Sequence, residues 1–296
     1  MTHRPSLFLI DGSSYIYRAF HALPPLSNSK GLPTHAIYGF INMLLKMVRE
    51  KRPEYLAIAF DSPGPTERHR DFYQYKAHRP PTPDALEVQI PYIQRMVEAF
   101  RIPVLLAEGY EADDVLGTVA LKAEADGFSV TIVTGDKDTF QLVGPHIQVY
   151  DPVRDRLYGE AEVRERFGVP PSQIPEVMGL QGDPIDNIPG IPGIGEKTAT
   201  SLIAEFGSIE ALLESLERVK RPKLRESLKE HADLARLSRG LALLRTDLNL
   251  ELDYSKLKLT EPDGIALRTL FRELEFTSLL KAVTPYPDSG SRDYPL

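Results

Sequence analysis

Four stretches of the chain place carboxylates just beyond a short apolar run. Asp11 ends LFLID, Asp61 ends LAIAFD, Glu111, Asp113 and Asp114 follow the run Val104–Ala107, and Asp136 and Asp138 close TIVTGDKD. Asp183 and Asp186, in GDPID, stand where the sequence changes character. Taken singly, an Asp after an apolar run is a helix cap or a turn former, and the acids of EADD would favour a helix macrodipole with no further duty. Taken together they need another reason. Carboxylates that converge from separate stretches repel one another, and such a cluster is tolerated only when protonated or neutralised by cations. An all-oxygen donor set without cysteine or nearby histidine suits Mg²⁺ or Mn²⁺ and argues against structural zinc. Two such hard cations can activate a water and stabilise the leaving oxygen of a phosphodiester.

The acids can meet only if the elements before them run side by side. Strands are expected at Ser6–Ile10, Tyr55–Phe60, Val104–Ala107, Val130–Val133 and Ile147–Tyr150. Between them lie helical patterns: Thr34–Glu50 behind a Thr cap, Ala85–Ala99 and Ala112–Ala125. This alternation predicts an α/β fold, with a central, mostly parallel sheet flanked by helices and chemistry at the carboxyl ends of its strands. Glu111 and Asp114, at i, i+3, would share a helix face, as would Asp183 and Asp186 if locally helical. From about Pro170 helices dominate: Thr198–Phe206, Ile209–Leu216, Pro222–Arg245 and Gly264–Leu274, with Leu250–Leu259 extended. The expected division is an α/β catalytic domain over 1–170 with an arch at about 63–83, a helical region over 171–283, and a linker or tail at 284–296.

Composition excludes several alternatives. With no cysteine among 296 residues, disulfides, thiolate metal sites and cysteine nucleophiles are ruled out. His21, His35, His69 and His78 are scattered without a Ser or Cys partner pattern, so a triad hydrolase has no support. No apolar run approaches the roughly 20 residues of a membrane span, and the start, MTHRPSLFLIDGSS, lacks the pattern of a secretory signal. No membrane partner and an intracellular location are expected. The net charge of −7 argues at face value against a nucleic-acid partner, yet acids gathered around cations leave the phosphate-facing surface free to be basic.

Three stretches carry that basic character. NIPGIPGIGEKTATSLI, Asn187–Ile203, has Gly190, Gly193 and Gly195 ahead of Lys197 and a helix, the pattern of a helix–hairpin–helix. Its glycines would let the backbone approach a phosphate, and its carbonyls could hold a monovalent cation such as K⁺; the alternative is a Pro/Gly loop before a helix. In TERHRDFYQYKAHRPP, Arg68, Arg70, Lys76 and Arg79 interleave with Phe72, Tyr73 and Tyr75. That composition suits phosphates and unpaired bases, or a solvated basic loop with its rings tucked into the body. Between Arg218 and Arg245, Lys and Arg outnumber Asp and Glu threefold, which by itself is also the pattern of a solvated face.

The ordered series LIDGSSYIYRAFHAL, AIAFDSPGPTERH, YKAHRPPTP, EGYEADDVLGT, VTGDKDTFQLV, GLQGDPIDNIPGIPGIGEKTA and LIAEFGSIEALL resembles the 5′-nuclease domain of bacterial DNA polymerase I, within the wider flap endonuclease family, from about Ser6 to Leu280. The resemblance implies a PIN-like fold with a helical arch and a C-terminal helix–hairpin–helix region. It implies a monomer of the bacterial cytoplasm that removes 5′ flaps and RNA primers from DNA, either with a polymerase fused at its C-terminal end or as a stand-alone relative. By match of motif, Asp11, Asp61, Glu111, Asp113, Asp114, Asp136, Asp138, Asp183 and Asp186 fall on the family's metal-site acids. Arg18 and Lys76 fall on residues that contact the scissile phosphate, Arg79 lies near them, and Tyr75 matches an aromatic position near the threaded strand. Two other classes compete. A haloacid-dehalogenase-like phosphatase needs a second Asp two residues after its nucleophile, where Asp11 is followed by Gly12 and Ser13. A non-catalytic DNA-junction binder would have no use for nine acids.

Overall fold

The computed structural model describes residues 4–282; the segment expected to be a linker or tail, 284–296, lies outside the described residues. In chain order the first half contains β1 (Ser6–Asp11), α1 (Gly12–Ala22), α2 (His35–Lys51), β2 (Tyr55–Ala59), α3 (Glu67–Asp71), α4 (Asp84–Glu87), α5 (Ile90–Ala99), β3 (Val104–Leu105), α6 (Ala112–Ala125), β4 (Ser129–Val133), β5 (Ile147–Asp151) and β6 (Arg156–Tyr158). The second half contains α7 (Glu160–Phe167), α8 (Ile174–Gln181), α9 (Glu196–Phe206), α10 (Ile209–Glu214), α11 (Pro222–Glu230), α12 (Ala232–Ala242), α13 (Tyr254–Leu257), α14 (Gly264–Glu273) and α15 (Thr277–Ala282).

The strands form one sheet in the order β3-β2-β1-β4-β5-β6, with β1 to β5 parallel and β6 antiparallel at the edge. Because β1 is flanked by β2 and β4, the chain reverses its direction of travel across the sheet at β1, and a crevice opens beyond the strand ends there. Two apolar layers cover the sheet. Leu7 and Leu9 of β1 pack with α6 and with helices of the second half in one continuous core, while Phe8 and Ile10 face α1, α2 and α5. The last helices, α14 and α15, return to this second layer through Leu267, Leu270, Phe271 and Leu279. Among the described residues no helix is long and apolar enough to cross a membrane.

Several expected elements differ in detail. The pattern over Ala85–Ala99 is two helices, because fully buried Gln89 turns its Oε1 to the backbone N–H groups of Ala36 (2.8 Å) and Ile37 (3.3 Å) at the start of α2. Gln89 thereby replaces the expected cap, Thr34, whose side chain makes no capping hydrogen bond. The pattern over Pro222–Arg245 is likewise broken at His231, which ends α11 and opens α12. Helices α1, α7, α8 and α15 and strand β6 were not expected, and part of the extended stretch at Leu250–Leu259 is the helical turn α13.

Candidate metal centre

Adjacent parallel strands lie about 4.8 Å apart, so residues at the same end of β2, β1 and β4 are close neighbours. Asp11 is the last residue of β1, Asp61 follows β2 by two positions, and Asp136 follows β4 by three. The N-terminus of α6 closes the group: Ala112 N donates to Asp61 Oδ1 at 2.9 Å, which brings Glu111 and Asp113 alongside. Asp11, Asp61, Glu111, Asp113 and Asp136 line a cavity of about 210 Å³, together with Ser13, Ser14, Tyr17, Lys76 and Arg79. A second group lies beside it. Asp138, Asp183 and Asp186, all buried, each offer an oxygen within 4.8 Å of the others.

Backbone geometry fixes these side chains. Asp11 caps α1 by accepting from Ser14 N at 2.9 Å and also accepts from Thr134 Oγ1 at 2.8 Å. Asp136 Oδ1 accepts from Asp138 N at 2.9 Å, linking the two groups. Asp183 and Ile188 exchange backbone hydrogen bonds of 2.8 Å, which close the GDPID turn and hold Asp183 and Asp186 inward. Lys137 Nζ lies 3.2 Å from Asp183 Oδ2.

The electrostatic consequence falls on four of the acids. Burial pushes Asp11 up to about 7, against the lowering effect of its Ser14 and Thr134 hydrogen bonds. Burial, followed by the neighbouring carboxylates, holds Asp113 and Asp138 well above the usual carboxylate range, and burial raises Asp136. Asp113 Oδ1 and Asp138 Oδ1 are buried without a hydrogen-bond partner, one in each group. A buried, unpaired carboxylate oxygen is costly, and hard divalent cations are the species that such all-oxygen donor sets accommodate.

Three of the expected site residues are buried and engaged by the protein itself. Asp114 does not face the cavity: its oxygens accept from Arg68 Nη1 and Nη2 at 2.7 Å each and from Arg245 N at 2.8 Å, so no oxygen is left for a cation. Tyr75, expected beside a threaded strand, is 3 % exposed and donates its hydroxyl to Glu111 Oε2 at 3.0 Å. Gly190 is buried against the backbone of Gln181 and Gly182 and donates its N–H to Ser238 Oγ at 3.0 Å, which removes it from any DNA-facing surface.

The remaining basic and glycine positions sort as follows. Lys76 adopts a left-handed backbone (φ 55°), uncommon for a residue with a side chain, and its Nζ lies 2.5 Å from Glu111 Oε1. Arg79 Nη2 is 2.6 Å from Asp186 Oδ1. Arg70 is exposed. Arg18 is half-buried beside the backbone of Gly135 and is not part of the cavity lining. Gly193, Gly195 and Lys197 are exposed in the hairpin and at the start of α9. Thr134, Ser13 and Lys137 were missed. Thr134 and Lys137 sit inside the TGDK stretch, and each could have been found as a polar neighbour of a strand-end acid.

Residues 6–168 match the N-terminal resolvase-like domain of the 5′-3′ exonucleases, and residues 169–264 match their C-terminal SAM-fold domain. The chain belongs to the 5′-3′ exonuclease family. A 5′-3′ exonuclease of Aquifex aeolicus is 44% identical over 94% of this chain and 95% of its own length. DNA polymerase I of Bacillus caldotenax is 44% identical over 94% of this chain, which spans 32% of that longer protein. The fold of this 5′-3′ exonuclease family member is shared with the T5 D15 protein co-crystallised with metal ions (TM-score 0.69, 19% identity, 94% of this chain and 99% of that one). It is shared also with the catalytic core of Rad2 in complex with DNA substrate (TM-score 0.64, 18% identity, 96% and 93% covered). Divalent ions are thus bound in nuclease structures of this fold, and the present chain carries a buried acidic cluster.

Proposed function

We propose that this 5′-3′ exonuclease hydrolyses phosphodiesters at the 5′ ends and 5′ flaps of DNA, including RNA primers paired to DNA, with Mg²⁺ or Mn²⁺ held by its two groups of acids. The observation that carries this reading is the orphaned carboxylate oxygen in each group, Asp113 Oδ1 and Asp138 Oδ1, each on a carboxyl that burial holds well above the usual carboxylate range. Asp11, Asp61, Glu111, Asp113 and Asp136 would hold one cation, and Asp138, Asp183 and Asp186 a second. When bound, such ions lower the pKa of water and stabilise charge on phosphate oxygens.

The chain's own residues do the rest. Lys76 and Arg79, now paired with Glu111 and Asp186, are placed to turn their charge to a phosphate once those acids are neutralised, adding stabilisation where charge develops. Arg18 would act from the Gly135 side, and Arg70 from the exposed arch. Gly193, Gly195 and Lys197 would hold the duplex backbone without reading sequence, with K⁺ bridging hairpin carbonyls and phosphate. A terminal nucleotide must unpair to reach the acids, at a cost of a few kcal/mol that is smallest at frayed ends; this favours junctions. The protein is proposed to act as a monomer.

A DNA flap labelled at its 5′ end tests the proposal. Short labelled products ending near the junction are expected with Mg²⁺ and none with EDTA. Equal product in both, or none in either, contradicts it, and release of phosphate from simple monoesters alone would favour the phosphatase reading.

A further inference from the structure

Arg68 projects from α3, at the base of the arch, and its side chain is 8% exposed. A guanidinium has five N–H donors, and here each meets an acceptor. Nε donates to the carbonyl of Leu241 (2.8 Å) and Nη2 to that of Leu243 (3.0 Å), both at the end of α12. The two terminal nitrogens grip Asp114 at 2.7 Å each, and Nη1 also reaches Glu111 Oε2 at 3.1 Å. A guanidinium saturated in this way has nothing left for a phosphate, so Arg68 does not serve as one of the arch's phosphate cations.

Its placement gives it other work. The acceptors come from the N-terminus of α6 and the C-terminus of α12, so one side chain joins the arch base, the sheet half and the helical half. Glu111 feels this directly. Arg68 and Tyr75 share its Oε2, which leaves Oε1 turned to Lys76 and the cavity. We propose that Arg68 and Asp114 form a positioning pair that aims Glu111 into the cavity and pins the arch base, so that divalent-ion affinity and turnover depend on two residues that touch neither ion nor DNA. This rests on the metal-dependent reading above. Lysine cannot replace the arginine, because a single ammonium cannot span both carboxylates and two carbonyls in one plane.

Two variants test the pair: Arg68→Lys, and the double change Arg68→Met with Asp114→Leu. The second removes both charges together and avoids an uncompensated buried ion. Three readouts are needed: the melting temperature, Mn²⁺ affinity without DNA by electron paramagnetic resonance, and kcat and KM on a flap. Both variants are expected to fold, to bind Mn²⁺ about tenfold or more weakly, and to lose kcat by about tenfold to a hundredfold. KM should stay within about twofold, and added Mn²⁺ should recover part of kcat. Wild-type Mn²⁺ affinity and wild-type kcat per folded molecule, with only the melting temperature lowered, would reduce the pair to a structural strut and overturn the proposal. If the wild-type protein cleaves no flap while the variants still lose Mn²⁺, the proposed function fails and the positioning role stands.

Discussion

Asp11 and Thr134, 123 residues apart, are joined by a 2.8 Å hydrogen bond from Thr134 Oγ1 to Asp11 Oδ2. It ties the end of β1 to the residue that follows β4, its neighbour in the sheet. The bond also opposes, without cancelling, the burial that pushes Asp11 up to about 7. Thr134→Val keeps the shape and deletes the donor. Asp11 should then protonate at a still higher pH, and Mn²⁺ affinity near neutrality should fall about threefold to tenfold. A calorimetric titration at two pH values checks this, and the loss should be larger at the lower pH.

The same burial makes stability depend on pH, and the sign can be worked out. The folded Asp11 carboxyl titrates above its unfolded value of 3.8, so between about pH 4 and 7 the folded state holds more protons than the unfolded state. Unfolding free energy therefore falls as pH rises through that window. In EDTA, Asp11→Asn should remove this contribution and gain on the order of 2 kcal/mol over wild type at pH 8, with little gain at pH 4. Urea midpoints at the two pH values measure it. Mg²⁺ should raise the wild-type midpoint at pH 8 and close much of the gap.

Gly190 tests the link between the hairpin and the core. Its φ is +61°, and an added Cβ would lie 2.3 Å from the backbone nitrogen of Gly182. Strain and overlap with rigid backbone act together, so Gly190→Ala should destabilise by about 2–4 kcal/mol. The same change at Gly195, where nothing lies within 4 Å of an added Cβ and φ is −96°, should cost less than about 1 kcal/mol. Thermal unfolding of the two variants side by side shows the contrast.

These residues also show how far the sequence could be read. Asp11, Asp61 and Asp136 were legible because each ends an apolar run, and parallel strands place such ends together; the order β2-β1-β4 makes them neighbours. Asp114 was not. At i, i+3 from Glu111 it shares a helix face with a cavity-lining acid, and the partner that takes its oxygens, Arg68, lies 46 residues away in a basic stretch. The spacing of TERHRDFYQYKAHR marked cations and rings for DNA, although Arg68 and Tyr75 are buried. Burial there is decided by acids from other elements, which periodicity within one segment does not report. The break at Gln89 escaped for a similar reason: a buried amide capping a distant helix leaves no local mark.

Lys76 separates electrostatic help from folding. Its ammonium sits among Glu111 at 2.5 Å and Asp186 at 3.8 Å, in position to offset phosphate charge. Lys76→Ala should lower kcat by about a hundredfold to a thousandfold while junction affinity, measured in Ca²⁺ by fluorescence anisotropy, changes less than about threefold. An equal loss in binding and turnover would instead place Lys76 in substrate docking.

Anomalous diffraction from crystals soaked in Mn²⁺ shows whether the two groups of acids hold divalent cations. At least two Mn²⁺ peaks are expected, one within about 2.5 Å of Asp113 Oδ1 and one within about 2.5 Å of Asp138 Oδ1, with the first lost in Asp136→Ala. Saturating Mn²⁺ that leaves both oxygens without a peak, in crystals of a protein that still cuts the flap, would contradict that expectation.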